Sequence, residues 1–132
     1  MKDFNDDQNC FVCGKKNRLG LQIEFREQQQ GQEVTADVTF PVHLQGWQET
    51  VHGGLLATVL DETMIKAAAA GGITCVTAEI TVKYKKPAMT GTAYRVFGKI
   101  LEVRGRIVSA ESRLCDSGGQ VFALATGKLF KI

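Results

Sequence analysis

The chain has 132 residues, 44% of them hydrophobic and 23% charged, with a formal net charge of +2. That length makes one domain, residues 1–132, with no room for a second core, and the composition excludes disordered and fibrous classes. So small a net charge gives no ground for nucleic-acid binding, and the local basic clusters suit a small polyanion better than a duplex.

The first residues, Met1 to Asn9, are acidic and polar, unlike a secretory leader, so a cytoplasmic location is expected. Residues 1–18 read as an irregular lead-in with Gly14 and Asn17 as turn residues. Cys10 and Cys13 form a C-x-x-C pair there, while Cys75 and Cys115 sit in strand-like runs. No second C-x-x-C or H-x-x-x-H completes a zinc site, and no strand precedes the pair as a redox couple requires. Packed or exposed free thiols are therefore favoured and no metal is expected, with zinc and redox chemistry as the alternatives.

Two alternating runs follow, Leu19–Gln28 and Gln32–Phe40. Leu21, Ile23 and Phe25 alternate with polar residues in the first, and Val34, Ala36, Val38 and Phe40 do so in the second. Period two around Gly31 predicts a β-hairpin with one buried face. Pro41 ends it, and 41–51 reads as a loop. From Gly53 the period changes: Leu55, Leu56, Val59, Leu60, Met64, Ile65 and Ala67 to Ala70 follow helical spacing until Gly71-Gly72. Thr58, Asp61, Glu62 and Lys66 form only a thin polar strip, so this helix is expected to be central and buried. Its charges also exclude a membrane span.

Four strand-like runs complete the chain: Thr74–Lys86, Ala93–Val103, Arg106–Cys115 and Gln120–Phe130. Strands of such length twist and curl, and one long helix needs a covering sheet. The order β-β-α-β-β-β-β gives an α+β architecture, a long curled antiparallel sheet wrapped around one central helix.

The segment from Gly46 to Glu62, with His52-Gly53-Gly54 at its centre and Asp61 near its end, resembles the H-G-G…D/E signature of hotdog thioesterases of the phenylacetate-degradation type. The lead-in Cys10-Phe11-Val12-Cys13-Gly14, with Asn17 and Gly20-Leu21, is similar to a subgroup of the same family. The strand order matches the hotdog fold along the whole chain, and the motif match rests mainly on residues 46–62. The resemblance implies hydrolysis of an acyl-CoA thioester, with coenzyme A as part of the substrate and no separate cofactor.

Such a hydrolase needs donors for the developing oxyanion and a base or nucleophile at the carbonyl carbon. Gly53 and Gly54 open the helix, where N–H groups lack partners and the dipole favours negative charge. The resemblance implies that the Gly53 N–H polarises the carbonyl and that Gly54 lines the substrate. A plain turn-forming role for the glycines is the alternative. Asp61, a carboxylate on an apolar helix, is the candidate base or nucleophile. Glu62 is the weaker candidate, since Lys66 four residues on offers it an ion pair. By resemblance Thr77 positions the attacking water. His52 is expected to brace the loop through its ring more than to react directly. Where relatives carry an asparagine this chain has Gly46, leaving Gln45 or Gln48 as the amide near the substrate. Lys83 and Lys85, beside Lys86, and Arg104 and Arg106 are the candidates for the phosphates of coenzyme A, against ordinary solvated edge residues.

Gly53 and Asp61 are eight residues apart, about 12 Å along one helix. One carbonyl cannot touch both, so a shared site requires two chains with antiparallel helices, a homodimer or a homotetramer. A non-catalytic acyl-CoA-binding hotdog module is the alternative. A hotdog dehydratase or hydratase lacks its histidine-and-acid pattern here.

Overall fold

The computed structural model describes residues 4–28 and 33–132. Its elements are β1 (Arg26–Gln28), β2 (Glu33–Thr39), a single 3-10 turn (Val42–Leu44), α1 (Gly53–Ala70), β3 (Cys75–Tyr84), β4 (Ala93–Arg104), β5 (Ile107–Cys115) and β6 (Val121–Lys131). The strands form one antiparallel sheet in the order β1-β2-β4-β5-β6-β3, and α1 packs across β2 through β6. This is the expected α+β arrangement of one long helix on a curled sheet.

α1 begins and ends where glycine spacing places it. At its C-terminus Gly71 N–H donates to Ala67 and Ala68 carbonyls, and Gly72 takes the left-handed conformation (φ +78°) that terminates helices at low cost. Leu56, Val59, Leu60, Thr63, Met64, Ala67 and Ala68 form its buried face. They share a core with Val38, Val96, Val108, Leu114 and Leu129 from the sheet and with Phe40 just past β2. The opposite face, with Leu55, Thr58, Asp61 and Ile65, is only half-buried, so the helix is covered on one side and not all round.

Two departures from the expected elements have local causes. The run Leu19–Gln28 is a strand only at Arg26–Gln28. Gln22 is left-handed (φ +52°), which breaks the extended run, and its side-chain amide donates to the Lys15 and Asn17 carbonyls. Leu21 and Ile23 N–H groups instead bond back to the Phe11 and Val12 carbonyls, which ties this stretch to the lead-in. The predicted turn around Gly31 lies outside the described residues. The lead-in itself is irregular as expected but firmly seated, with Val12 fully buried.

The second departure is in β3. Its register against β6 slips between Thr77 and Glu79, leaving Ala78 as an extra residue. A regular strand turns residues an odd number apart to opposite faces. Across the bulge, Thr77 and the later Ile80, Val82 and Tyr84 all face the helix side.

Sheet and helix approach closely at Gly98 of β4. A Cβ there would lie 2.7 Å from Thr63 Cγ2 and 2.9 Å from the Thr63 carbonyl oxygen. Gly98→Ala is therefore expected to push α1 off the sheet and cost about 1–3 kcal/mol, as overpacking does. A lowered midpoint in urea or thermal unfolding checks this, and an unchanged midpoint would show that the helix can shift freely.

Candidate functional site

His52 is the N-cap of α1. Its Nδ1 accepts the Gly54 N–H at 3.0 Å, and its carbonyl receives the Leu55 and Leu56 N–H groups. A Cβ at Gly54 would sit 3.1 Å from that ring nitrogen, so a larger residue there would press on the cap. With Gly54 capped by the ring, the Gly53 N–H has no acceptor among the described residues. The Gly53 carbonyl accepts a hydrogen bond from the Tyr84 hydroxyl at 2.8 Å. Tyr84 thus clamps the helix start to the end of β3 and leaves one N–H pointing away, which suits an anion or a polarised carbonyl.

Asp61 lies two turns further along the helix and is half-buried. The Thr77 hydroxyl donates to its Oδ1 at 2.5 Å. Among the described residues no polar side-chain atom is buried without a partner, and Oδ2 has none, so that second oxygen reaches solvent. One turn of the helix is held from the other side as well: Ser112 of β5, buried, donates to the Leu60 carbonyl at 2.8 Å. Asp61 is therefore fixed in position with one oxygen tethered and one available.

Glu62 does not form the expected ion pair with Lys66; no such pair exists among the described residues. The next residue around the helix faces the lead-in, and Glu62 accepts from Cys13 Sγ at 3.4 Å and Cys10 Sγ at 3.6 Å. Burial first, and then the charge of Glu62, push the Cys13 thiol up to about 12, with Lys66 pulling the other way. Such a thiol is a poor redox nucleophile. Burial would lower the Lys66 ammonium, but Cys13 and Glu62 outweigh it and hold it above the ordinary lysine value.

The remaining candidates spread over the molecule. Gln48 is exposed, and the Gln45 Oε1 is engaged by the Glu49 N–H at 3.0 Å within the same loop. Gly46 lies beside His52: a Cβ there would stand 3.4 Å from the His52 ring. Lys83 and Lys85 are exposed at the Tyr84 end of β3. Arg104 and Arg106 flank the left-handed Gly105 at the opposite end of the sheet, with Arg104 paired to Glu102 at 3.0 Å. The ladder Arg104–Ile107–Phe130–Val76 places that end seven residues before Lys83, about 23 Å away. The two basic clusters are not brought together within one chain. Sequence reasoning missed Tyr84 and the thiol contacts of Glu62. The phase change between Thr77 and Ile80-Thr81-Val82 was the signal for the first; nothing local signalled the second.

Cap chemistry gives a direct test of the role of His52. His52→Ala should cost about 1 kcal/mol, whereas His52→Asn, a good N-cap, should recover most of it. Equal losses in denaturant melts of the two variants would rule out the capping role.

Residues 48–123 match the family model for the thioesterase superfamily. Mouse and rat acyl-coenzyme A thioesterase THEM4 are 35% and 37% identical over 65 residues, 49% of this chain and 28% of each relative. The match thus spans little more than a quarter of those proteins. Among solved structures, a thioesterase superfamily protein superposes with a TM-score of 0.87 at 29% identity, over 93% of this chain and 63% of that one. The E. coli PaaI protein of the phenylacetic acid degradation operon gives 0.77 at 18% identity, over 85% and 80%. The smu.793 protein of Streptococcus mutans, bound to acetyl-CoA, gives 0.78 at 17% identity, over 89% and 94%. The fold is therefore the hotdog.

Proposed function

The chain belongs to the thioesterase superfamily, and on that premise we propose that it hydrolyses acyl-CoA thioesters at a site shared between two copies. The observation that carries this reading is Asp61: a half-buried carboxylate on an apolar helix, held through one oxygen by Thr77 and free at the other. A carboxylate is costly in such a place unless it is paired or used. The acetyl-CoA bound by the S. mutans neighbour and the activity named for the THEM4 relatives support coenzyme A as the carrier.

In this reading the thioester oxygen rests against the unpartnered Gly53 N–H of one chain and the carbonyl carbon faces Asp61 of the other. The separation of about 12 Å along α1 requires that division. As a base, Asp61 Oδ2 takes a proton from water while the water oxygen bonds to the carbonyl carbon. As a nucleophile, Oδ2 bonds to that carbon directly, and water then cleaves the resulting anhydride. In both routes charge gathers on the oxygen at Gly53, the C–S bond breaks, and the coenzyme A thiolate takes up a proton. Thr77 fixes the carboxylate in either role. A two-fold pairing with antiparallel helices also lets Lys83 and Lys85 of one chain and Arg104 and Arg106 of the other approach one polyanionic ligand, which neither cluster does alone.

Release of free thiol from a panel of aryl, short-chain and long-chain acyl-CoAs is the test. Asp61→Asn and Asp61→Ala should lower kcat by at least about 100-fold, the range of a lost acid–base group. Full activity in either variant would sink the mechanism, as would a fully active monomer. Binding of acyl-CoA without any thiol release would instead identify a binding module. Thr77→Val, which keeps the shape and removes the donor, should reduce kcat by roughly tenfold with little change in unfolding midpoint. One turnover in heavy-oxygen water bears on the routes: an unlabelled first product acid, with label in Asp61, identifies a nucleophilic Asp61 whose anhydride opens at the Asp61 carbonyl, whereas label in the acid fits direct attack by water or opening at the acyl carbonyl.

A further inference from the structure

The lead-in presents two sulfurs to the helix in a way the catalytic reading does not use. Val12, between the two cysteines, is buried and anchors the loop in the core. The Val12 N–H points at Cys10 Sγ (3.4 Å), and the Gly14 N–H donates to the Cys10 carbonyl at 2.8 Å. A Cβ on Gly14 would lie 2.5 Å from both Cys10 N and the Gln8 carbonyl, so only glycine closes this turn. The turn turns both sulfurs toward one point on α1, and the residue there is Glu62. Cys10 Sγ, Cys13 Sγ and the Glu62 carboxylate all lie within 4.8 Å of one another. The sulfur–oxygen separations are 3.6 and 3.4 Å. Around a tetrahedral zinc, bond lengths of about 2.3 Å to sulfur and 2.1 Å to oxygen require ligand separations of about 3.6 Å.

A metal ion would take the place of the two thiol protons, and Lys66, one helical turn after Glu62, lines the same cavity as Cys13 and sets a cation beside the ligands. That cavity is open, with a volume of about 520 Å³, so solvent reaches the Cys13 side of the cluster. Thiolate ligands select zinc over the harder divalent ions.

We propose that Cys10, Cys13 and Glu62 bind a zinc ion, with solvent as fourth ligand, and that this ion pins the lead-in to the helix that carries Asp61. The site does not depend on the thioesterase reading, since its ligands are separate from Asp61, Gly53 and Thr77.

The chain, purified under a phosphine reductant and stripped of metal, is titrated with zinc against a chromophoric chelator. One equivalent should bind with Kd below about 1 µM, and cobalt in its place should give thiolate-to-metal charge-transfer absorption. Glu62→Gln should weaken zinc binding by at least about tenfold, while its metal-free circular dichroism stays that of the parent. The Cys10→Ala/Cys13→Ala double variant should bind none. Zinc should raise the melting temperature of the parent and not that of the double variant. Less than half an equivalent bound, zinc retained by the double variant, a Glu62→Gln chain that binds like the parent, or no charge-transfer band with cobalt would each overturn the proposal. Because Glu62→Gln removes no core atom, the test stands even if the cysteine variants do not fold.

Discussion

A carboxylate on the face of an apolar helix has to be held, and the contact that holds it here is the Thr77–Asp61 hydrogen bond. The rest of the architecture can be understood as the support that contact needs. A single O–H···O⁻ bond is worth little if the helix can slide, because its strength falls steeply with misalignment. Sliding is opposed from three directions: Ser112 bonds the carbonyl of the preceding residue, Gly98 lets the helix settle close onto β4, and Tyr84 ties down the helix start. Each of these comes from a different part of the sheet. The position of one oxygen is thus a property of the whole sheet–helix sandwich and not of the strand that touches it.

The same scaffold arranges the helix start. The imidazole of His52 takes one of the orphan N–H groups and the first carbonyl is taken by Tyr84, so the remaining Gly53 N–H stands out by subtraction. Capping normally serves stability alone. In the proposed site its selectivity matters as much as its energy, because satisfying every donor would leave nothing for a ligand oxygen.

Much of this was legible from the chain. The 3.6-residue spacing from Leu55 to Ala70, closed by Gly71-Gly72, gave the helix within a residue, and the long alternating runs after Thr74 gave four strands in order. Legibility failed where a distant contact overruled a local pattern. Leu19 to Phe25 alternates as a strand should, but a left-handed Gln22 and backbone bonds to Phe11 and Val12 divert it to the lead-in. Glu62 and Lys66 have ideal spacing for an ion pair, yet the carboxylate is drawn to two thiols some fifty residues earlier in the chain. Helix periodicity shows which residues share a face and not what that face will meet. The catalytic candidates were readable as a motif, whereas Tyr84 was not, because its orientation depends on a bulge.

That bulge at Ala78 has a consequence for what this strand can tolerate. Thr77 and Tyr84 are separated by an odd number of steps, and only the extra residue between them lets both look inward. The segment behaves like a two-part key whose halves are cut in opposite phase. Its chemistry at Ala78, Glu79 or Thr81, all exposed, is nearly free to drift. Its length is not: losing or gaining one residue there would turn either the hydroxyl at Asp61 or the hydroxyl at Gly53 out to solvent, and no substitution elsewhere in the strand could bring both back.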